Sequence, residues 1–236
     1  MIKGVDVSPR WQKDIDFKKL KAQGYDFAGI KATQGTWLSY QQDNTDKGIV
    51  HENLGEMVAR CEDADMEHFL YHFLDPVMDE GEDEDYTQTG NEQLSFFHAE
   101  TIGLHGQLPN GLDCEWQGTL TNLQYTALVL DFLDSAMLRW LLYSNLNFLD
   151  NIIKRQDEIS ENADLWLVWP SGLSPCKMPR YYDDSEVKIW QWDWSDNLDK
   201  NRVLDEVWYY SHVPPEIYAT VRVIAPPGIT VDVQYE

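Results

Sequence analysis

The chain has 236 residues, 43% hydrophobic and 13% aromatic, which is enough to bury a sizeable core and fits one α/β domain over residues 1–236. Its 41 Asp and Glu against 18 Lys and Arg leave a formal net charge of −23, which argues against nucleic acid or an anionic membrane surface as a partner. Three cysteines, Cys61, Cys114 and Cys176, do not make a disulfide framework, and no CxxC pair or other signal calls for a metal or cofactor.

Ile2–Val7 reads as an apolar strand carrying one acid, Asp6. Asp16–Gln23 follows as a helix with Gly24 as its stop, and Tyr25–Ala32 is a second strand. Beyond the polar loop Thr33–Asp46, a helix over His51–Asp63 leads to a third strand, Met66–Phe73. The acidic run Asp79–Asp85 reads as a solvated loop or helix start, since it lacks the ligand spacing of a calcium loop. Asn91–Ile102 is an amphipathic helix.

After the Pro109-Asn-Gly break, Leu112–Trp116 alternates apolar and acidic residues. A period of two places Asp113 and Glu115 on one face and Leu112, Cys114 and Trp116 on the other. Thr121–Asp134 is a strong helix, with Leu123, Ala127, Leu130 and Leu133 spaced for one face. Leu138–Ser144 is strand five, Phe148–Glu158 a helix and Leu165–Trp169 strand six. Helices then drop out: Ser171–Ser185 is turn-rich, Val187–Trp192 is strand seven and Thr230–Tyr235 strand eight. Within the long connection Ser195–Gly228, Val207–His212 and Ile217–Ile224 predict an added helix and an added strand. Strands alternating with helices argue for a parallel sheet, and the late loss of helices makes it irregular. No apolar leader and no run of about 18 apolar residues appears, so synthesis in the cytoplasm without a signal peptide is expected.

The strings GVDVS (4–8), FAGIKATQGT (27–36), FLYHF (69–73), LDCE (112–115), LLYSN (141–145), LWLVW (165–169), KIWQW (188–192) and VDVQY (231–235) follow one another in order. Together the series resembles glycoside hydrolase family 25, the N-acetylmuramidases (lysozymes) common among bacteriophage endolysins. The resemblance implies an irregular TIM-like (β/α)5β3 barrel with helices mostly after the first five strands. It implies hydrolysis of the β-1,4 bond between N-acetylmuramic acid and N-acetylglucosamine, with bacterial peptidoglycan as the partner and no cofactor. A phage-released enzyme acting on the cell wall, with any wall-binding module outside this chain, is the expected setting. The rivals are a non-catalytic glycan-binding barrel and a chitinase- or glucosaminidase-like enzyme. A chitinase would want a longer acidic motif than Asp113-x-Glu115.

In a closed barrel the first and last strands are neighbours, so Asp6 and Asp232 would meet at the mouth with Asp113 and Glu115. A cluster of like charges raises at least one pKa, which a general acid at neutral pH requires. The family motif falls on Asp6, the Asp113/Glu115 pair and Asp232, and implies Glu115 as general acid. Asp113 would be a base or nucleophile, or the group that orients the substrate's N-acetyl arm. Alternate strand residues lie about 6.5–7 Å apart, which side-chain rotation brings into either the retaining or the inverting range. An N-acetyl group on the cleaved sugar adds a third route, substrate assistance. Lys31 is expected to neutralise the acids or hold a substrate oxygen, and Tyr71, Tyr143, Trp190 and Trp192 to offer faces to sugar rings. Gln34 stands where the family usually has Glu, and His72 and Gln191 read as structural.

Overall fold

The computed structural model describes residues 1–36, 53–76, 89–154, 156–169, 178–180, 182–183, 185–195 and 198–213. Eight strands close into one barrel in chain order. They are β1 (Lys3–Val7), β2 (Phe27–Gln34), β3 (Glu67–Phe73), β4 (Gly111–Asp113), β5 (Trp140–Asn145), β6 (Ala163–Val168), β7 (Val187–Asp193) and β8 (Asp199–Val203). β1 to β7 are parallel, whereas β8 runs antiparallel to both β7 and β1.

Helices follow the first five strands. They are α1 (Phe17–Ala22), α2 (Leu54–Glu62), α3 (Gly90–Glu100), α4 (Asn122–Ser135) and, after a π turn at Phe148–Ile152, α5 (Gln156–Asn162). Among the described residues no helix separates β6 from β7 or β7 from β8, and α6 (Glu206–His212) follows β8. The architecture is the expected eight-stranded barrel with its helices early.

The eighth strand, however, is Asp199–Val203 and not Thr230–Tyr235, which lies outside the described residues, as do Asp79–Asp85 and Ile217–Ile224. Both edges of β1 are taken, by β2 and by β8, so the barrel closes without the C-terminal segment. The expected helix Phe148–Glu158 is also two elements. Its first turn ends where the Ile153 N–H returns to the Phe148 carbonyl at 2.8 Å and the buried Ile153 leaves in an extended conformation.

Local chemistry sets the helix starts. Asp16 caps α1 by accepting from the Lys19 N–H at 2.9 Å, and α3 and α4 open with reciprocal capping boxes, Thr89/Glu92 and Thr121/Gln124. On α4 the expected Leu130 and Leu133 are buried, together with Tyr125, Leu128, Val129 and Phe132, whereas Leu123 and Ala127 are exposed.

Two cores result. One lies between the helices and the outer strand faces. The other fills the barrel with Phe27, Phe69 and Trp166, packed ring to ring at 6.3 and 5.1 Å. These large rings fit because small residues face them. A Cβ on Gly4 would come within 2.2 Å of the Phe27 ring, and one on Gly29 within 2.6 Å of Phe69. Because β8 is antiparallel it delivers α6 to the floor of the barrel, where Tyr209 meets Phe27 at 6.2 Å and Trp208 donates to Asp164 at 3.2 Å. The floor is packed, and the opposite mouth is left open for chemistry.

Candidate active site

The parallel strands all point their C-terminal ends at the mouth, so residues late in each strand share one rim. Asp6 of β1, Lys31 of β2, Tyr71 of β3, Asp113 of β4 and Tyr143 of β5 line an open cavity of about 190 Å³, with Glu115 just beyond β4. That volume is below the roughly 300–1,000 Å³ of sites that enclose a whole small ligand, so it suits part of a longer chain. Trp166 forms its base, with Tyr71 and Tyr143 edge-on to it at 5.7 and 4.5 Å. β4 ends at Asp113, but the alternation carries on one step: Cys114 is buried in the outer core and Glu115 returns to the cavity.

The fourth carboxylate is Asp199. β8 runs from the mouth downward, so its first residue lies at the rim, directly opposite Asp6 in the β1–β8 register. Asp232, expected in that position, lies outside the described residues. Two residues along β8, the buried Asn201 bridges the site to its base. Its amide donates to Asp6 Oδ2 at 2.8 Å, and its carbonyl accepts from the Trp166 indole at 2.8 Å.

Four carboxyl groups facing one ammonium cannot all ionise at their ordinary pKa. Burial, then the neighbouring Glu115, pushes Asp113 well above the usual carboxylate range, and Lys31 only partly offsets this. Asp6 is also pushed well up, by burial and by Asp199, against the Asn201 hydrogen bond. Glu115 is solvent-exposed at the rim and is raised less, by partial desolvation and by Asp199, with Lys31 pulling it down. Burial raises Asp199 too, while a hydrogen bond from Gln191 lowers it. Asp113 Oδ1 is buried with no partner among the described residues, an acceptor aimed at the cavity with nothing to accept from.

Lys31 is held in place from below. Its ammonium lies 4.3 Å from the Phe73 ring centroid and donates to Gln34 Oε1 at 2.9 Å. The other end of the same amide donates to Asp75 Oδ2 at 3.3 Å. A glutamate at position 34 would set its carboxylate against Asp75, so the amide suits this position by having both an acceptor and a donor. Asp75 is anchored in turn by Gln93, which takes the Asp75 N–H at 3.0 Å and gives to the Asp75 carbonyl at 2.8 Å. His72 sits beneath, between Thr33 and Gln93, and burial lowers its pKa to about 3, so it is a neutral structural imidazole.

Trp190 and Trp192 do not line the cavity. On β7 the residues facing the barrel are Ile189 and Gln191, so the tryptophans take the opposite parity. Trp190 is buried with its indole on the Trp169 carbonyl at 2.9 Å, and the Arg202 guanidinium lies 4.3 Å from the Trp192 ring. Gln191, read as structural, instead reaches Asp199. The sequence reading did not single out Asp199, Trp166, Asn201 or Trp11, the last a 72% exposed indole on the cavity wall. An exposed aromatic in the loop after a barrel strand was the available signal for Trp11. Among the described residues no group of three or more His, Cys, Asp or Glu side chains is arranged to hold a metal ion, and no helix is long and apolar enough to cross a membrane.

The glycosyl hydrolases family 25 model matches residues 5–200, a span that includes Asp199 and stops short of Asp232. No curated protein matches the chain. Among solved structures, a muramidase from Acremonium alcalophilum superposes with a TM-score of 0.70 at 20% identity, over 90% of this chain and 99% of that one. A muramidase from Trichobolus zukalii gives 0.69 at 19% identity, over 90% and 100%. A family 25 lysozyme from Aspergillus fumigatus gives 0.65 at 24% identity, over 86% and 94%. At these identities the likeness is one of fold.

Proposed function

The chain belongs to glycosyl hydrolases family 25, and from that premise we propose that it is a muramidase, cleaving the β-1,4 bond after N-acetylmuramic acid in bacterial peptidoglycan. The observation that carries the proposal is the pair at the end of β4: a rim carboxyl, Glu115, raised above its ordinary pKa, beside a buried Asp113 whose Oδ1 has no partner among the described residues. The raised pKa favours the protonated form that a general acid needs, and solvent access lets Glu115 be recharged.

In the proposed mechanism Glu115 protonates the departing sugar oxygen. The carbonyl oxygen of the substrate's own N-acetyl group attacks C1 as that bond breaks. Asp113 Oδ1 accepts from the acetamido N–H, which orients the arm and stabilises the positive charge that develops on it. Water, deprotonated by the Glu115 carboxylate, then opens the cyclic intermediate with retained configuration. Lys31 limits the charge on the acids, and Asp6 and Asp199 line the wall beside the reacting ring.

The test is digestion of purified peptidoglycan by the native protein and by Glu115→Gln, with mass analysis of the reducing ends. Reducing N-acetylmuramic acid ends should appear and should fall by roughly 10²–10⁴-fold in the variant. Reducing N-acetylglucosamine ends would instead make it a glucosaminidase. An inverted product would sink substrate assistance, and binding without release would leave a non-catalytic glycan-binding barrel. The endolysin setting is part of the same proposal: co-expression with a pore-forming protein in a susceptible bacterium should lyse the culture.

A further inference from the structure

A second and larger cleft, about 630 Å³, adjoins the reaction cavity, and Trp11 and Gln12 line both. Its charge is opposite in sign to that of the chain. Among the described residues, Arg10, Lys13, Lys19 and Lys200 line it against two carboxylates, Asp14 and Asp16, whereas the whole protein has 18 basic and 41 acidic residues. Asp16 is turned to the start of α1, where it accepts from the Lys19 N–H at 2.9 Å. Lys200 is tied to Asp193 at 2.9 Å, and Arg10 stacks over the Trp11 ring at 4.5 Å, on the border between the two cavities. Between the cations the wall is apolar, formed by Leu20, Leu198 and the ring of Tyr25.

A net-cationic rim around an apolar wall, next to the point of cleavage, fits a short anionic peptide, which brings more than one carboxylate and apolar side chains, better than the stripped glycan, whose muramic acid brings a single lactyl carboxylate. We propose that this cleft binds the acidic peptide carried by the glycan strand, with Lys13 and Lys19 pairing its carboxylates. The inference rests on the muramidase reading and deepens it: the enzyme selects peptide-bearing strands. Steering over long range is closed to a protein of this charge, so recognition has to come from close contacts of this kind.

The test compares kcat/KM on purified peptide-bearing glycan strands with that on the same strands stripped by an amidase, for the native protein and for Lys13→Ala/Lys19→Ala. Neither lysine lines the reaction cavity. The native enzyme should prefer intact strands by about tenfold, the worth of one or two charge-assisted contacts. The double variant should fall to the stripped-strand rate on intact strands while matching the native enzyme on stripped ones, which also shows that it is folded. Equal native rates on both substrates, or a variant that keeps the preference, overturns the proposal. So does a preference that disappears when anionic phosphate polymers, not peptides, are removed from the wall. A native enzyme that cleaves neither substrate overturns the muramidase reading and this inference with it, a result distinct from all of these.

Discussion

Asp199 stands across the barrel seam from Asp6, its Cα partner in the antiparallel β1–β8 pair. After burial, Asp199 is the chief influence raising Asp6, while Asn201 from the same strand donates to Asp6 and lowers it. One five-residue strand therefore supplies both the opposing charge and the partial remedy. Asp199→Asn should lower kcat/KM by about tenfold or more, since it alters the charge facing both Asp6 and Glu115. Asp232→Asn is the control, and steady-state kinetics of the two variants decide between the positions. A loss confined to Asp232→Asn would show that the carboxylate which matters is not the one on β8.

Asp113 is costly to the fold it serves. Its folded pKa lies well above its unfolded value of about 3.9, so the stability it contributes is present below that pH and lost as pH rises through the folded pKa. Asp113→Asn removes the buried charge. The variant should be more stable than the native protein at pH 7–8 by roughly 1–2 kcal/mol, about 2–4 °C in melting temperature per kcal/mol, with the gap closing toward pH 4 and activity largely lost. Melting curves across pH would refute this if the native protein were the more stable at pH 8.

Lys31 holds Glu115 and Asp113 below where burial alone would put them. In Lys31→Met both carboxyls rise further, so Glu115 keeps its proton to higher pH. The alkaline limb of kcat/KM should move up in pH, while the maximum falls by about 10²-fold as the Lys31 ammonium is lost from the cavity. A limb that stays put or moves down would mean that Glu115 does not set it.

His72 governs acid stability in the opposite sense to Asp113. Its folded pKa of about 3 lies below the unfolded value of about 6.5, so between those limits the unfolded chain binds the extra proton and stability falls as pH falls. His72→Gln cannot take up that proton and should lose stability less steeply than the native protein from pH 6.5 to pH 3. Gln93→Ala, which strands His72 Nε2 and both backbone groups of Asp75, should cost about 3–5 kcal/mol at any pH. Chemical denaturation at several pH values checks both.

Much of this was legible locally. Short apolar runs marked seven of the strands, helices were expected from Asp16 and Thr121, the residues that cap them, and the period of two carried Asp113 and Glu115 into one cavity. What was not legible is whatever depends on which strands meet. Asp199-Lys-Asn-Arg-Val is polar and has no strand-like alternation of its own. It is a strand because β7 and β1 offer it backbone partners on both edges, which its own sequence pattern does not announce. On β7 each parity mixes apolar and polar residues, so the sequence alone does not say whether Trp190 or Gln191 turns inward. The amino-acid order thus determined the elements and the acid pair, through contacts a few residues apart. Barrel closure decided the fourth carboxylate, the inward face of β7 and the cleft beside Trp11, because each depends on residues far apart in sequence and adjacent only once the seam is made.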